Sequence, residues 1–166
     1  MNKHSLFIFL LLFTGVFFSE CKKYPEDDVF IQWRRPEKRL IKYGPWVFDK
    51  LTVDGVDKSA EFRADSAYFR QIRFYEPEIE FGTSLSIDRV AGYHSEYGVF
   101  ELVGDNKEII FNVVNSYINH SDYNNFGPLF VSGGTNWEIL RLSKKGMTIK
   151  TTYQNSTYVL SLKSSR

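Results

Sequence analysis

The sequence predicts an all-β fold, an eight-stranded antiparallel up-and-down barrel built as a meander, on three observations. Aromatic side chains are abundant, with 15 Phe, 10 Tyr and 3 Trp in 166 residues, and such rings suit a pleated, half-buried surface. From Trp46 onward, short runs that alternate apolar and polar residues recur, while no helical stripe of useful length does. These runs are separated by Gly, Asn, Asp, Pro or Ser, which favour turns. Composition sets the outer bounds. At 43% hydrophobic and 25% charged, the chain reads as one globular domain. With 21 basic against 20 acidic side chains it has no global field to attract polyphosphate, so no nucleic-acid partner is expected. One Cys cannot build a disulfide scaffold.

Taken in order, the first element is a leader. Lys3 and His4 precede an apolar run from Leu6 to Phe18, interrupted only by Thr14 and Gly15. A short charged segment followed by such a run has the pattern of a secretory signal peptide. The run falls short of the roughly 20 apolar residues that a spanning helix needs. A buried core helix is the alternative. The run ends near Cys21, the single Cys, after which Lys22, Lys23, Tyr24, Pro25, Glu26, Asp27 and Asp28 are abruptly polar.

That arrangement resembles a bacterial lipoprotein signal of the Bacteroidetes type. The resemblance implies cleavage before Cys21 and acylation there, with residues 1–20 as signal peptide and Cys21 as the lipid-attachment residue. It departs from the family pattern at Glu20, where a small residue is usual, and at Phe18, where Leu is commonest. The acidic Glu26, Asp27 and Asp28 resemble the export signals of some surface lipoproteins. Two or more acyl chains hold a protein stably on a bilayer, so the implied location is the cell envelope, lipid-anchored at the outer membrane and facing the periplasm or the surface. A free buried thiol is the other reading of Cys21.

Residues 21–42 read as a tether ending in a short helical turn. Pro25 and Pro36 and the mixed charges Arg34, Arg35, Glu37, Lys38, Arg39 and Lys42 lack the periodicity of a packed element. The basic residues are expected to form a solvated face, with lipid phosphates as the alternative contact.

The barrel domain then occupies residues 43–166. Its eight predicted strands run from Trp46 to Val53, Tyr68 to Tyr75, Thr83 to Val90, Tyr97 to Val103, Glu108 to Val114, Trp137 to Leu142, Met147 to Tyr153, and Thr157 to Lys163. Parity assigns faces within them. Phe100 with Leu102, Ile109 with Phe111 and Val113, and Tyr158 with Leu160 and Leu162 face the core. In the second strand Tyr68, Ile72 and Phe74 share one face, and Phe69, Gln71, Arg73 and Tyr75 the other. Tight turns are expected at Gly104 to Lys107, Lys144 to Gly146, and Asn155 with Ser156. The stretch from Asn115 to Asn136 is too long for a hairpin and is expected to cross one barrel mouth. Closing the meander removes both exposed edges; a two-sheet sandwich is the rival.

Gly44, Pro45 and Trp46, after a helical turn and before the first strand, carry a second resemblance, to the Gly-x-Trp signature of lipocalins. Trp137, Glu138, Ile139, Leu142 and the Met147 to Lys150 strand are similar to the last hairpins of small bacterial lipocalin-like lipoproteins, and the turn at Val53, Asp54, Gly55 and Val56 is common in that group. The resemblance covers roughly Leu40 to Lys163. It implies that Trp46 plugs the closed end, its ring covered by a cation from the chain terminus, here Lys163 or Arg166. An ordinary core Trp is the alternative.

Chemistry is read mostly from what is missing. There is no nucleophile elbow, phosphate-cradling glycine loop or helical zinc motif, and His4, His94 and His120 lack metal-ligand spacing. Glu76, Glu78 and Glu80 around Pro77 lack a calcium-loop pattern and read as a polar turn. No enzyme activity, metal or cofactor is expected. The favoured function is binding of a small apolar or amphipathic ligand, with Trp46, Phe48, Phe74, Phe100, Phe111, Trp137 and Ile139 as candidate lining. The alternative is a structural or interaction module with a filled barrel, its partner another envelope protein.

Overall fold

The computed structural model describes residues 35–65, 68–76, 84–89, 95–113 and 135–166. Cys21 and the leader, His94, His120, Glu78 and Glu80 lie outside the described residues, as does the stretch expected to cross a mouth except for residues 135 and 136.

The first element, α1 (Pro36–Tyr43), begins on a proline, whose fixed φ suits a helix start and whose missing N–H is not needed there. Pro36, Arg39 and Leu40 share one face and are buried. Of the described basic residues expected on a solvated face, Arg39 is the exception, because spacing of three and four residues lets even this short, charged helix bury a stripe. Arg35, Lys38 and Lys42 hold the exposed side.

Among the described residues nine strands follow: β1 (Trp46–Val53), β2 (Val56–Asp57), β3 (Phe69–Tyr75), β4 (Ser84–Arg89), β5 (Ser95–Val103), β6 (Glu108–Val113), β7 (Asn136–Leu142), β8 (Gly146–Tyr153) and β9 (Ser156–Ser164). A second helix, α2 (Ser59–Ala64), lies between β2 and β3. Consecutive strands pair antiparallel from β3 to β9, and β1 pairs with β3 on one edge and β9 on the other. The barrel is thus closed by eight strands, with β2 a two-residue ribbon on β1. The β1–β9 seam is long, from Trp46 opposite Ser164 to Val53 opposite Tyr158. The β1–β3 seam is short, only Trp46 opposite Ile72 and Val47 opposite Gln71.

Two two-residue hairpins turn through adjacent left-handed residues, Asp54 (φ 51°) with Gly55 (φ 81°) and Gln154 (φ 47°) with Asn155 (φ 67°), and the longer β5–β6 connection through three, Gly104 (φ 57°), Asp105 (φ 56°) and Asn106 (φ 61°). In the two-residue turns that geometry matches the twist of the flanking strands. The second turn lies one residue earlier than the expected Asn155 and Ser156, because Ser156 already pairs with Tyr153.

Parity also fails at register shifts in β1, β3 and β7, where Leu51, Phe69 and Leu142 are buried out of phase with their strand-mates. Phe69 is fully buried beside Ile72 and Phe74, although strict alternation puts it on the outer face. The β3–β4 register shifts between Phe69 and Gln71, and such a bulge turns the residue before it to the opposite side. Arg73 and Tyr75 stay outside.

Helix α1 contacts β3 and β7, on different sides of the ring, and so lies across one opening. This is the closed end, where β1 starts and β9 stops. The opposite end carries the Asp54–Gly55 and Gln154–Asn155 turns and is the mouth. Twenty buried side chains form one apolar cluster between the two.

Candidate functional site

The closed end is built around Trp46. Its indole N–H donates to the Leu40 carbonyl at 2.8 Å, tying the first inward residue of β1 to the last turn of α1. Gly44 makes the approach possible. A Cβ there would stand 3.1 Å from Trp46 Cδ1 and 3.3 Å from the Leu40 oxygen. The cation implied by the lipocalin resemblance is corrected. Lys163 faces outward, because it neighbours the inward Leu162, and it pairs with Asp49 at 2.6 Å. Arg166 donates to the Lys42 carbonyl at 2.7 Å.

All seven candidate lining residues are buried in the one core cluster. Phe74, Phe100 and Phe111 meet across β3, β5 and β6, with ring centroids 4.8 Å and 6.3 Å from Phe74. Phe48 belongs to a separate group, 5.1 Å from Phe62, 5.6 Å from Tyr68 and 6.0 Å from Phe69. Trp46, Trp137 and Ile139 have at most 1% of their surface exposed. In this structure these side chains pack on each other.

The wall itself has a gap, because β1 and β3 separate after two paired residues. Helix α2 fills it. Phe62 inserts between Phe48 and Phe69, Arg63 donates to the Asp49 carbonyl at 3.0 Å and lies over the Phe48 ring at 5.1 Å, and the Ser59 hydroxyl accepts the Leu51 N–H.

Toward the mouth, burial relaxes on the β1, β8 and β9 side. Inward-facing Met147 and Leu162 at the closed end are 1% and 2% exposed. Thr151 and Tyr158 reach 5% and 9%, and Val53 and Tyr153 are half-buried. These four surround one rim, since Val53 and Thr151 both stand opposite Tyr158. The Thr151 hydroxyl is committed to the Asn136 carbonyl at 2.8 Å. Burial, then the Asp54 carboxylate, then the Tyr153 phenol push the Tyr158 phenol above its ordinary value. The rim therefore offers an apolar wall and two phenols.

Sequence reasoning placed Tyr158 on the core face but did not single out this rim. The available signal was position: Val53, Tyr153 and Tyr158 are the inward residues nearest the Asp54–Gly55 and Gln154–Asn155 turns. Among the described residues no cluster of His, Cys, Asp or Glu is arranged to hold a metal ion.

The closed meander, with a helix across one end and an amphipathic rim at the other, is a lipocalin-like barrel. Among solved structures the chain is similar to a lipocalin-like protein from Bacteroides uniformis ATCC 8492, with 15% identity and a TM-score of 0.43, over 74% of this chain and 96% of that one. No protein-family model and no curated protein matches the chain.

Proposed function

We propose that this chain is an envelope lipoprotein, anchored through Cys21, whose lipocalin-like barrel binds a small amphipathic ligand at the mouth. The observation that carries the binding reading is the burial gradient. Inward residues are sealed beneath α1 and become accessible at Val53 and Tyr153, beside the less tightly buried Tyr158. An apolar wall with a few convergent polar groups suits a ligand with an apolar body and an acceptor end. The anchor rests on the lipoprotein-like signal and the polar stretch after Cys21. This reading gives the protein no catalytic role and no nucleic-acid partner.

A filled-barrel interaction module is favoured by a different observation, the near-zero exposure of Trp46, Trp137 and Ile139. One experiment separates the two. Titration with the apolar fluorophore N-phenyl-1-naphthylamine is expected to saturate on the wild-type chain and to be lost in Val53→Arg, which puts a charge on the rim. No saturable binding by a folded wild-type chain supports the module. The anchor is tested by intact mass of membrane-extracted protein beside Cys21→Ser: acyl chains are expected on the first only.

A further inference from the structure

We infer that the closed end of the barrel is a docking face for an anionic lipid surface, which rests on the anchored reading and adds to it an orientation. Six exposed cations gather there: Arg35, Lys38, Lys42, Lys144, Lys145 and Arg166. The first three are spaced three and four residues apart along α1, which puts them on one helix face. The others are fixed beside that face by hydrogen bonds. Arg166 donates to the Lys42 carbonyl at 2.7 Å, and the Ser164 hydroxyl donates to the Tyr43 carbonyl. The Ser164 N–H in turn donates to the Lys145 carbonyl at 3.0 Å, drawing the β7–β8 turn against the end of α1.

Opposing charge is sparse. Among the described residues at this end the acids are Glu37, Glu76, Asp105 and Glu108; Asp105 shares its turn with Lys107, and Glu108 accepts from the Asn136 amide at 2.9 Å. The side chain of Lys163 is already matched by Asp49.

The occupant follows from position as well as charge. The chain enters the barrel at Arg35, fourteen residues after Cys21, so an anchor at Cys21 tethers the closed end within the roughly 50 Å that such a length spans when extended, and the cations turn that end to the bilayer. Each Lys or Arg close to an anionic leaflet strengthens attachment about fivefold. A domain held this way turns its mouth, with Val53, Tyr153 and Tyr158, away from the membrane and toward the aqueous phase.

The test uses membrane-extracted protein returned to vesicles of phosphatidylcholine, with or without a third phosphatidylglycerol, and mass-spectrometric readout of amine labelling. Lys38, Lys42, Lys144 and Lys145 are expected to label at least about fivefold more slowly on the anionic vesicles. Lys58, beyond the Asp54–Gly55 turn, is expected to label equally on both. The protection is expected to vanish at about 1 M salt, where the screening length is roughly 3 Å. Equal labelling on both vesicles overturns the inference, as does equivalent protection by inorganic phosphate without phosphatidylglycerol.

A second variant guards against misreading a fold defect. Lys144→Glu with Lys145→Glu changes two exposed turn residues, and is expected to remove protection at Lys38 and Lys42 while the circular dichroism spectrum stays unchanged. Retained protection in that variant also overturns the docking face. Intact mass on the same samples reads the anchor separately: an acylated chain without protection overturns the orientation alone, and a protected chain without acyl groups overturns the anchor alone.

Discussion

Ser59 takes the place of a strand beside Leu51. Its hydroxyl accepts the Leu51 N–H at 3.0 Å and lies 3.5 Å from the Leu51 carbonyl, to which the Lys58 N–H also donates at 2.9 Å. Leu51 is fully buried, and β3 has already left β1 at this height. Without Ser59 the N–H has no partner and no access to water.

Ser59→Ala is therefore expected to destabilise the fold by about 1–3 kcal/mol, the penalty of an unsatisfied buried donor. Urea unfolding measures it directly. A change within the noise of an ordinary surface substitution would show that α2 is not needed to seal the wall.

Gly44 and Trp46 define a second prediction. A methyl at Gly44 meets both the indole and the Leu40 carbonyl at distances that force one to move, so Gly44→Ala is expected to cost about 1–3 kcal/mol by overpacking. Trp46→Phe removes the donor but not the ring, and is expected to cost about 1–3 kcal/mol by leaving the carbonyl unpartnered. Thermal unfolding is expected to move down by roughly 3–6 °C for each kcal/mol. Their double variant is expected to cost less than the sum, because both act on the same contact.

The barrel was legible because alternation and turns repeat along the chain. Phe100 and Phe111, and Tyr158, Leu160 and Leu162, face the core as their parity requires. What escaped were departures from a repeat. Phe69 turned inward through a one-residue bulge that no side chain announces. Helix α2 is six residues of ordinary composition, and its role comes from a gap between strands that only closure creates. Arg39 read as one charge in a solvated run because an eight-residue helix is too short to show its buried stripe. The seven lining candidates were chosen for size and parity, which identify inward residues but not height in the barrel. The rim depends on height.

The Gln154–Asn155 turn carries a third prediction. Both residues are left-handed, which is costly for Gln, whereas Asn tolerates it better and Gly best. Gln154→Asn combined with Asn155→Gly supplies the dipeptide this turn type prefers. The double variant is expected to gain up to about 1 kcal/mol. A loss of stability would mean that Gln154 makes a contribution other than its backbone geometry, for instance through its amide, which lies 3.4 Å from the Tyr153 hydroxyl.

Tyr158 predicts an alkaline weakness. Desolvation first, and then Asp54 and Tyr153, make its phenolate harder to form in the folded chain than in the unfolded one. Between the ordinary tyrosine value of about 10 and the higher folded value, the unfolded state binds fewer protons, so stability falls as pH rises. The contribution is intact below that window and lost as pH climbs through the folded value. The wild type is compared with Tyr158→Phe. The difference in urea midpoint between about pH 8 and about pH 11 is expected to be smaller in the variant. Asp54→Asn is expected to shrink it partly, since the amide oxygen can still accept the Thr157 N–H that Asp54 now takes at 2.7 Å while the charge is gone. Parallel curves for wild type and Tyr158→Phe would show that the rim phenol titrates like an exposed one.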